Sequence, residues 1–114
     1  MEFSIIFYSD EHGVEPVKVF LNFLETSYPS LWKSTLAAIK RMESRINHKM
    51  PLSRPLGDGL FEIRVRSNRI LSRIIYCFQP GAELILLHGF TKDDDKLPSR
   101  ELQTAKERKR KLKR

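Results

Sequence analysis

The stretch "GLFEIRVRSNRILSRIIY", residues 59–76, constrains the fold more than any other part of this 114-residue chain. It reads as two alternating apolar–polar runs around a short polar break, the pattern of two antiparallel strands in a hairpin. Side chains alternate along a strand, so Phe61, Ile63 and Val65 share one face and Glu62, Arg64 and Arg66 the other. In the second run Arg73 lies between Ser72 and Ile74. A two-residue turn sets Arg64 opposite Arg73, Ile63 opposite Ile74 and Arg66 opposite Leu71. An odd loop would set Ile63 against Arg73 and mix the faces.

Like charges directly opposite on a sheet destabilise it. The Arg64–Arg73 pair therefore demands an anion, and Glu62 is the only carboxylate in the hairpin. A two-residue turn at Pro80–Gly81 extends the row, placing His88 of the next strand opposite Arg73. The expected row of Arg64, Arg73 and His88, flanked by Arg66 and Glu62, has two readings. In one, Glu62 neutralises it internally and the remaining guanidiniums snorkel to water. In the other, the missing anion is a phosphate, whose oxygens match the planar guanidinium fork. That equipment suits cutting RNA without a metal: a 2′-hydroxyl attacks its own phosphate, and fixed arginines stabilise the charge that grows on the phosphoryl oxygens. His88 is a candidate acid or base, since imidazole titrates near neutrality and nearby cations favour its neutral form. Glu62 is a second candidate base.

The rest of the chain supplies a frame for this hairpin. "FSIIFYS" (3–9) reads as a strand. Val17, Phe20, Leu21 and Leu24 recur at helical spacing from Pro16 to near Tyr28. Pro29 suits the start of a second helix, running to about Asn47 with Trp32, Leu36, Ile39, Met42 and Ile46 on one face. "HKMPLSRPLGDG" (48–59) reads as a loop. Strands are expected near 60–66, 70–78 and 83–90, and a basic C-terminal helix from about residue 98 to 114. Its narrow stripe of Leu102, Ala105 and Leu112 predicts light docking or fraying. The order β-α-α-β-β-β-α describes one α+β domain with a helical pair packed on one sheet face.

Composition narrows the function classes. With 40% apolar and 31% charged residues and no apolar run of about 18, nothing is expected to span a membrane. The N-terminal residues lack the features of a signal peptide, so the expected location is cytoplasmic. The single cysteine, Cys77, cannot form an internal disulfide and fits a buried apolar position. No His/Cys/Asp/Glu set has metal-ligand spacing, and Asp93–Asp95 lack the alternation and glycine of a calcium loop. Neither a glycine-rich phosphate loop nor a nucleophile elbow is present, and no cofactor is expected. The net charge of +7 is uneven: residues 1–90 hold 11 Lys/Arg against 9 Asp/Glu, whereas residues 91–114 hold 10 against 5. A basic tail of this kind attracts polyanions or acidic partners.

"FYSDEHGVEPVKVFLNFL", "PLGDGLFEIRVR", "SRIIYCF", "LILLHGFTK" and "KLPSRELQTAKER", in this order, resemble the phage-derived, HigB-like branch of the RelE/ParE toxin superfamily. The resemblance covers nearly the whole chain and implies a RelE-like α+β fold. It implies the toxin of a type II toxin–antitoxin pair that cleaves messenger RNA, commonly in the ribosomal A site. Its implied partners are the ribosome, mRNA and a helix-turn-helix antitoxin of the HigA kind, with a heterotetramer as one form that the complex with the antitoxin can take. In RelE-type relatives, basic residues on the central strands and after the last strand hold the scissile phosphate. Those positions match Arg64, Arg66, Arg73 and Lys92, with Lys96 and Arg69 as further phosphate contacts. Where the family continues after "HGFTK" with lysine and small polar residues, this chain reads "DDDK". Both lysines can then serve only if they fold inward while the aspartates face solvent. ParE-like members of the same superfamily act on DNA gyrase instead, and a non-enzymatic RNA- or partner-binding regulator is the third reading.

Overall fold

A computed structural model describes residues 2–112. Strand β1 (Ser4–Phe7) leads into helices α1 (Pro16–Ser27) and α2 (Pro29–Arg41), each beginning with the proline that fits a first helical turn. Only Tyr28 joins them, and its backbone N–H caps α1 on the Leu24 carbonyl. Strands β2 (Ser53–Gly57), β3 (Leu60–Ser67), β4 (Ile70–Gln79) and β5 (Glu83–Lys92) follow, then helix α3 (Ser99–Arg110). One sheet has the order β1-β5-β4-β3-β2, with β1 parallel to β5 and the other pairs antiparallel. This is the expected α+β class, with one strand more than the meander read from sequence.

The extra strand, β2, lies inside the segment read as loop. Asp58 and Gly59 both take positive φ, 55° and 74°, and form a two-residue hairpin turn of the kind that Asp-Gly favours. Pro55 is accommodated because β2 is an edge strand, and an irregularity between Pro55 and Gly57 shifts its register. β2 is short. Its pairing with β3 begins at Ser53, and the Arg64 N–H still reaches the Leu52 carbonyl at 2.8 Å. Beyond that point the alternation of ladder bonds turns the Arg66 N–H and C=O outward, so the last three residues of β3 form an open edge.

The β3–β4 register is the expected one, with Arg64 opposite Arg73, Ile63 opposite Ile74 and Arg66 opposite Leu71. The β4–β5 register is not. Gln79 pairs with Glu83 across a three-residue loop, Pro80–Ala82, in which Gly81 and Ala82 have φ of 87° and 56°. A second shift follows at Ile75/Tyr76. His88 therefore stands opposite Ile75, and Phe90 takes the place beside Arg73.

The sheet separates two apolar layers. On one face Ile63, Ile74, Tyr76, Leu84 and Leu86 pack against Val17, Leu21 and Leu24 of α1 and Leu31, Ala38 and Ile39 of α2. The buried stripe of α2 is centred on Thr35, whose hydroxyl hydrogen-bonds Ser72 at 2.7 Å. Leu36, expected on that stripe, is exposed because the buried face runs through Leu31, Thr35 and Ala38 instead, and Ile46 is exposed because α2 stops at Arg41 and a short 3₁₀ turn at Arg45–Asn47 redirects the chain. On the other face Leu60, Ile75, Ile85, Leu87 and buried Cys77 receive Ala105 of α3, so this helix is docked rather than frayed over its described length. Burial pushes the Cys77 thiol up to about 11, keeping it protonated. The expected tail beyond residue 112 lies outside the described residues.

α1 crosses β5 at Gly89, where a Cβ would meet three ring atoms of Phe20 at under 3.0 Å. Gly89→Ala is expected to lower stability by about 1–3 kcal/mol through this overpacking. Urea unfolding of the variant beside the native chain measures it.

Candidate functional site

Glu62 sits fully buried on the α3-facing side of β3 and gathers the arginines around it. Its Oε2 accepts a hydrogen bond from Arg73 Nε at 2.6 Å, reached diagonally from the neighbouring strand. Its Oε1 accepts one from Arg54 Nε of β2 at 2.9 Å and lies 3.5 Å from Arg64 Nε. Arg54 was not singled out from the sequence, because its strand was not. With β2 in place its proximity follows from register, since Arg54 stands opposite Glu62.

Arg73 has no exposed side-chain surface, and its guanidinium lies over the Phe90 ring, 5.1 Å from the centroid. Its charge is balanced by Glu62 on one side and capped on the other by residues 93–98, which follow β5. Arg73 Nη1 donates to the Lys96 carbonyl and, at 3.5 Å, to that of Asp94. Arg64 Nη2 donates to the Asp95 carboxylate, and Arg54 Nη2 lies 3.4 Å from the Asp95 carbonyl. Asp94 is 3.7 Å from Lys92 Nζ and also accepts the Lys96 N–H at 3.1 Å. Of the three aspartates only Asp95 turns its carboxylate onto an arginine, while Asp93 and Asp95 stay exposed; Lys96, expected to fold inward, is exposed as well. Two buried donors stay unpartnered: Arg64 Nε and Arg73 Nη2.

His88 shares this sheet face but faces α3. Arg108 Nη1 donates to His88 Nδ1 at 3.0 Å and to the Leu87 carbonyl at 2.9 Å. Nδ1 must then carry a lone pair, so Nε2 bears the proton and donates to Glu101 Oε1 at 2.7 Å. Burial lowers the His88 pKa below 6.5, opposed by the hydrogen bond that His88 donates to Glu101 and reinforced by the Arg108 charge. The neutral imidazole therefore serves as a clip between the sheet and the helix.

Arg66 and Arg69 are exposed and make no hydrogen bond or ion pair among the described residues. Arg66 and Arg64 open on a cleft of about 580 Å³ between α2, the 46–52 segment and the free end of β3. Arg41 and Lys49 face the same cleft, over a floor that includes Ala37, Met50, Val65 and Leu71. Four cations and no carboxylate line it, so an anion with an apolar portion is its natural occupant. That Arg41, on the basic side of the second helix, and Lys49 meet the hairpin arginines was not legible in the sequence, because nothing in the pattern brings a helix end to a strand edge.

The family model described as phage derived protein Gp49-like (DUF891) matches residues 22–110. The chain belongs to this family. It is a toxin-like family related to the RelE superfamily, and the match spans α2, the arginine hairpin and α3. No curated protein matches this Gp49-like chain. Among its described residues no helix is long and apolar enough to cross a membrane, and no group of three or more His, Cys, Asp or Glu could hold a metal ion.

Two outcomes test this geometry. Glu62→Gln leaves buried Arg73 without its anion and is expected to cost about 3–5 kcal/mol in urea unfolding. A histidine whose folded pKa is depressed stabilises the fold fully above its unfolded value and loses that contribution as pH falls. The native chain is therefore expected to lose stability as pH drops below 6.5 through the lower folded pKa of His88. In His88→Gln that component of the slope should vanish.

Proposed function

We propose that this Gp49-like chain is the HigB-like toxin of a type II toxin–antitoxin pair and a metal-independent endoribonuclease acting on mRNA, with the ribosomal A site as the place of cleavage. The observation that carries this reading is the cleft at the open edge of β3, where Arg41, Lys49, Arg64 and Arg66 converge over an apolar floor without an acid. An RNA strand offers the complementary chemistry, with phosphates for the cations and bases for the floor.

In this reading the 2′-oxygen attacks the adjacent phosphorus and the 5′-oxygen leaves. A proton departs from the attacking hydroxyl and another arrives at the leaving oxygen. Arg64 and Arg66 stabilise the charge that develops on the non-bridging oxygens. Glu62 acts by positioning, since both its oxygens are engaged by guanidiniums. Arg73 holds Glu62 and, through it, Arg64. His88 acts by positioning α3. Lys92, Lys96 and Arg69, at the rim of the same sheet end, track the flanking phosphates. The partner is a helix-turn-helix antitoxin of the HigA kind, and the site of action is the cytoplasm, where translating ribosomes are.

The burial of Arg73 decides which variant is informative. Arg73→Ala would leave Glu62 short of its closest cation and disturb folding, whereas Arg66→Ala removes an exposed side chain. Arg66→Ala is expected to cut mRNA cleavage by about a hundredfold, as loss of one transition-state donor does, without shifting the melting temperature. Mapping new mRNA 5′ ends after induction of the native chain and the variant measures this. Growth arrest by both proteins with no new ends would sink the ribonuclease reading and favour a gyrase-type target.

A further inference from the structure

The segment Asp93–Pro98 does more than connect β5 to α3. Within three consecutive residues, 94–96, it turns four oxygens toward the arginine cluster: the carbonyls of Asp94, Asp95 and Lys96 and the carboxylate of Asp95. They fall on Arg54, Arg64 and Arg73, the guanidiniums that already share Glu62. A tetrahedral anion would present oxygens to the same donors. Yet the segment satisfies the cluster incompletely. Arg64 Nε and Arg73 Nη2 remain buried without a hydrogen-bond acceptor, an arrangement that is costly unless something else fills it. Three guanidiniums facing Glu62 and Asp95 also leave one positive charge uncompensated.

We infer that residues 93–98 are a displaceable internal occupant of a phosphate site, with Asp95 holding on Arg64 the place that a phosphodiester of the bound strand takes. The inference rests on the reading of this cluster as a phosphate site and names how that site is regulated. With the strap closed, Arg73 has no exposed surface and the cleft offers the strand only Arg41, Lys49, Arg66 and the outer part of Arg64. With the strap lifted, Arg64 Nη2 and Arg73 Nη1 lose their acceptors and turn to the incoming phosphate. Asp95 is itself exposed and outside the sheet ladder, so its release breaks no β-sheet hydrogen bond. The apparent affinity for RNA is then the intrinsic affinity reduced by the fraction of molecules in which the strap is open.

The test is binding of a fluorescent 2′-O-methyl oligoribonucleotide, which lacks the attacking hydroxyl and cannot be cut. Asp95→Asn is compared with Asp93→Asn, which removes the same charge from the same segment. Asp93 is exposed and makes no hydrogen bond or ion pair with the arginines among the described residues. Asp95→Asn is expected to bind about tenfold tighter than the native chain, and Asp93→Asn at most about twofold tighter, through screened long-range charge alone. The gain from Asp95→Asn should disappear when Arg64→Ala is added, with thermal unfolding confirming that each variant is folded. Equal effects of the two aspartate variants, or a drop in melting temperature in Asp95→Asn with no gain in binding, would overturn the inference, as would absence of binding by Asp95→Asn. Because the probe cannot be cleaved, the two readings fail separately. Tighter binding by Asp95→Asn with no cleavage of ordinary RNA leaves the strap standing and removes the ribonuclease. Cleavage of ordinary RNA with equal binding by the two variants does the reverse.

Discussion

One carboxylate organises the functional half of this molecule. Glu62 is fully buried, and its two oxygens serve guanidiniums from three strands. Arg64 and Arg73 face each other directly across β3 and β4, a pairing that repels unless an anion lies within reach. Glu62 reaches both because it stands one residue pair further along on the same face. The register, the burial of Arg73 and the orientation of Arg64 toward the cleft all depend on this sharing. Burying such a cluster is costly, and its worth lies in holding guanidiniums whose long side chains would otherwise be mobile. An arginine anchored through Nε presents its terminal nitrogens in a fixed direction, which a substrate phosphate needs and a solvated side chain cannot offer.

The two helical layers divide the remaining work. α1 and α2 seal one sheet face with an apolar core whose polar members are satisfied, as Thr35 is by Ser72 and Ser53 is by Tyr76 at 2.6 Å. The other face is only partly apolar, and α3 is held there largely by polar contacts. Glu101 and Arg108 grip the two nitrogens of His88, while Lys106 and Lys109 reach Asp58 in the β2–β3 turn. Fastening of this kind is sensitive to pH and salt in a way that the α1/α2 core is not. The strap at 93–98 lies directly before α3, so the site is bordered by parts of the chain that polar contacts hold in place.

How far the sequence led follows from which interactions are local. The hairpin could be read with its register because the turn and the alternation reinforce each other within a few residues. The next register could not, since a three-residue loop and a shift at Ile75/Tyr76 both intervene before His88 and neither leaves a mark in the apolar pattern. β2 carried a usable signal in Asp58–Gly59, hidden by the proline and glycines around it. Those residues suit an edge strand as well as they suit a loop. The aspartate run was visible as a departure from the family pattern, but its direction was not. Whether an acid faces solvent or an arginine depends on where the chain goes after β5, and that is set by the docking of α3.

The free end of β3 has a consequence apart from any substrate. An uncovered strand edge pairs readily with the same edge of another molecule, the usual route to sheet-mediated aggregation. Two copies meeting there antiparallel would bring Arg64 and Arg66 of one against the same residues of the other, with no acid in the cleft to separate the charges. The residues read as phosphate ligands thus also oppose such pairing, and a polyanion that neutralises them removes that opposition while it is bound.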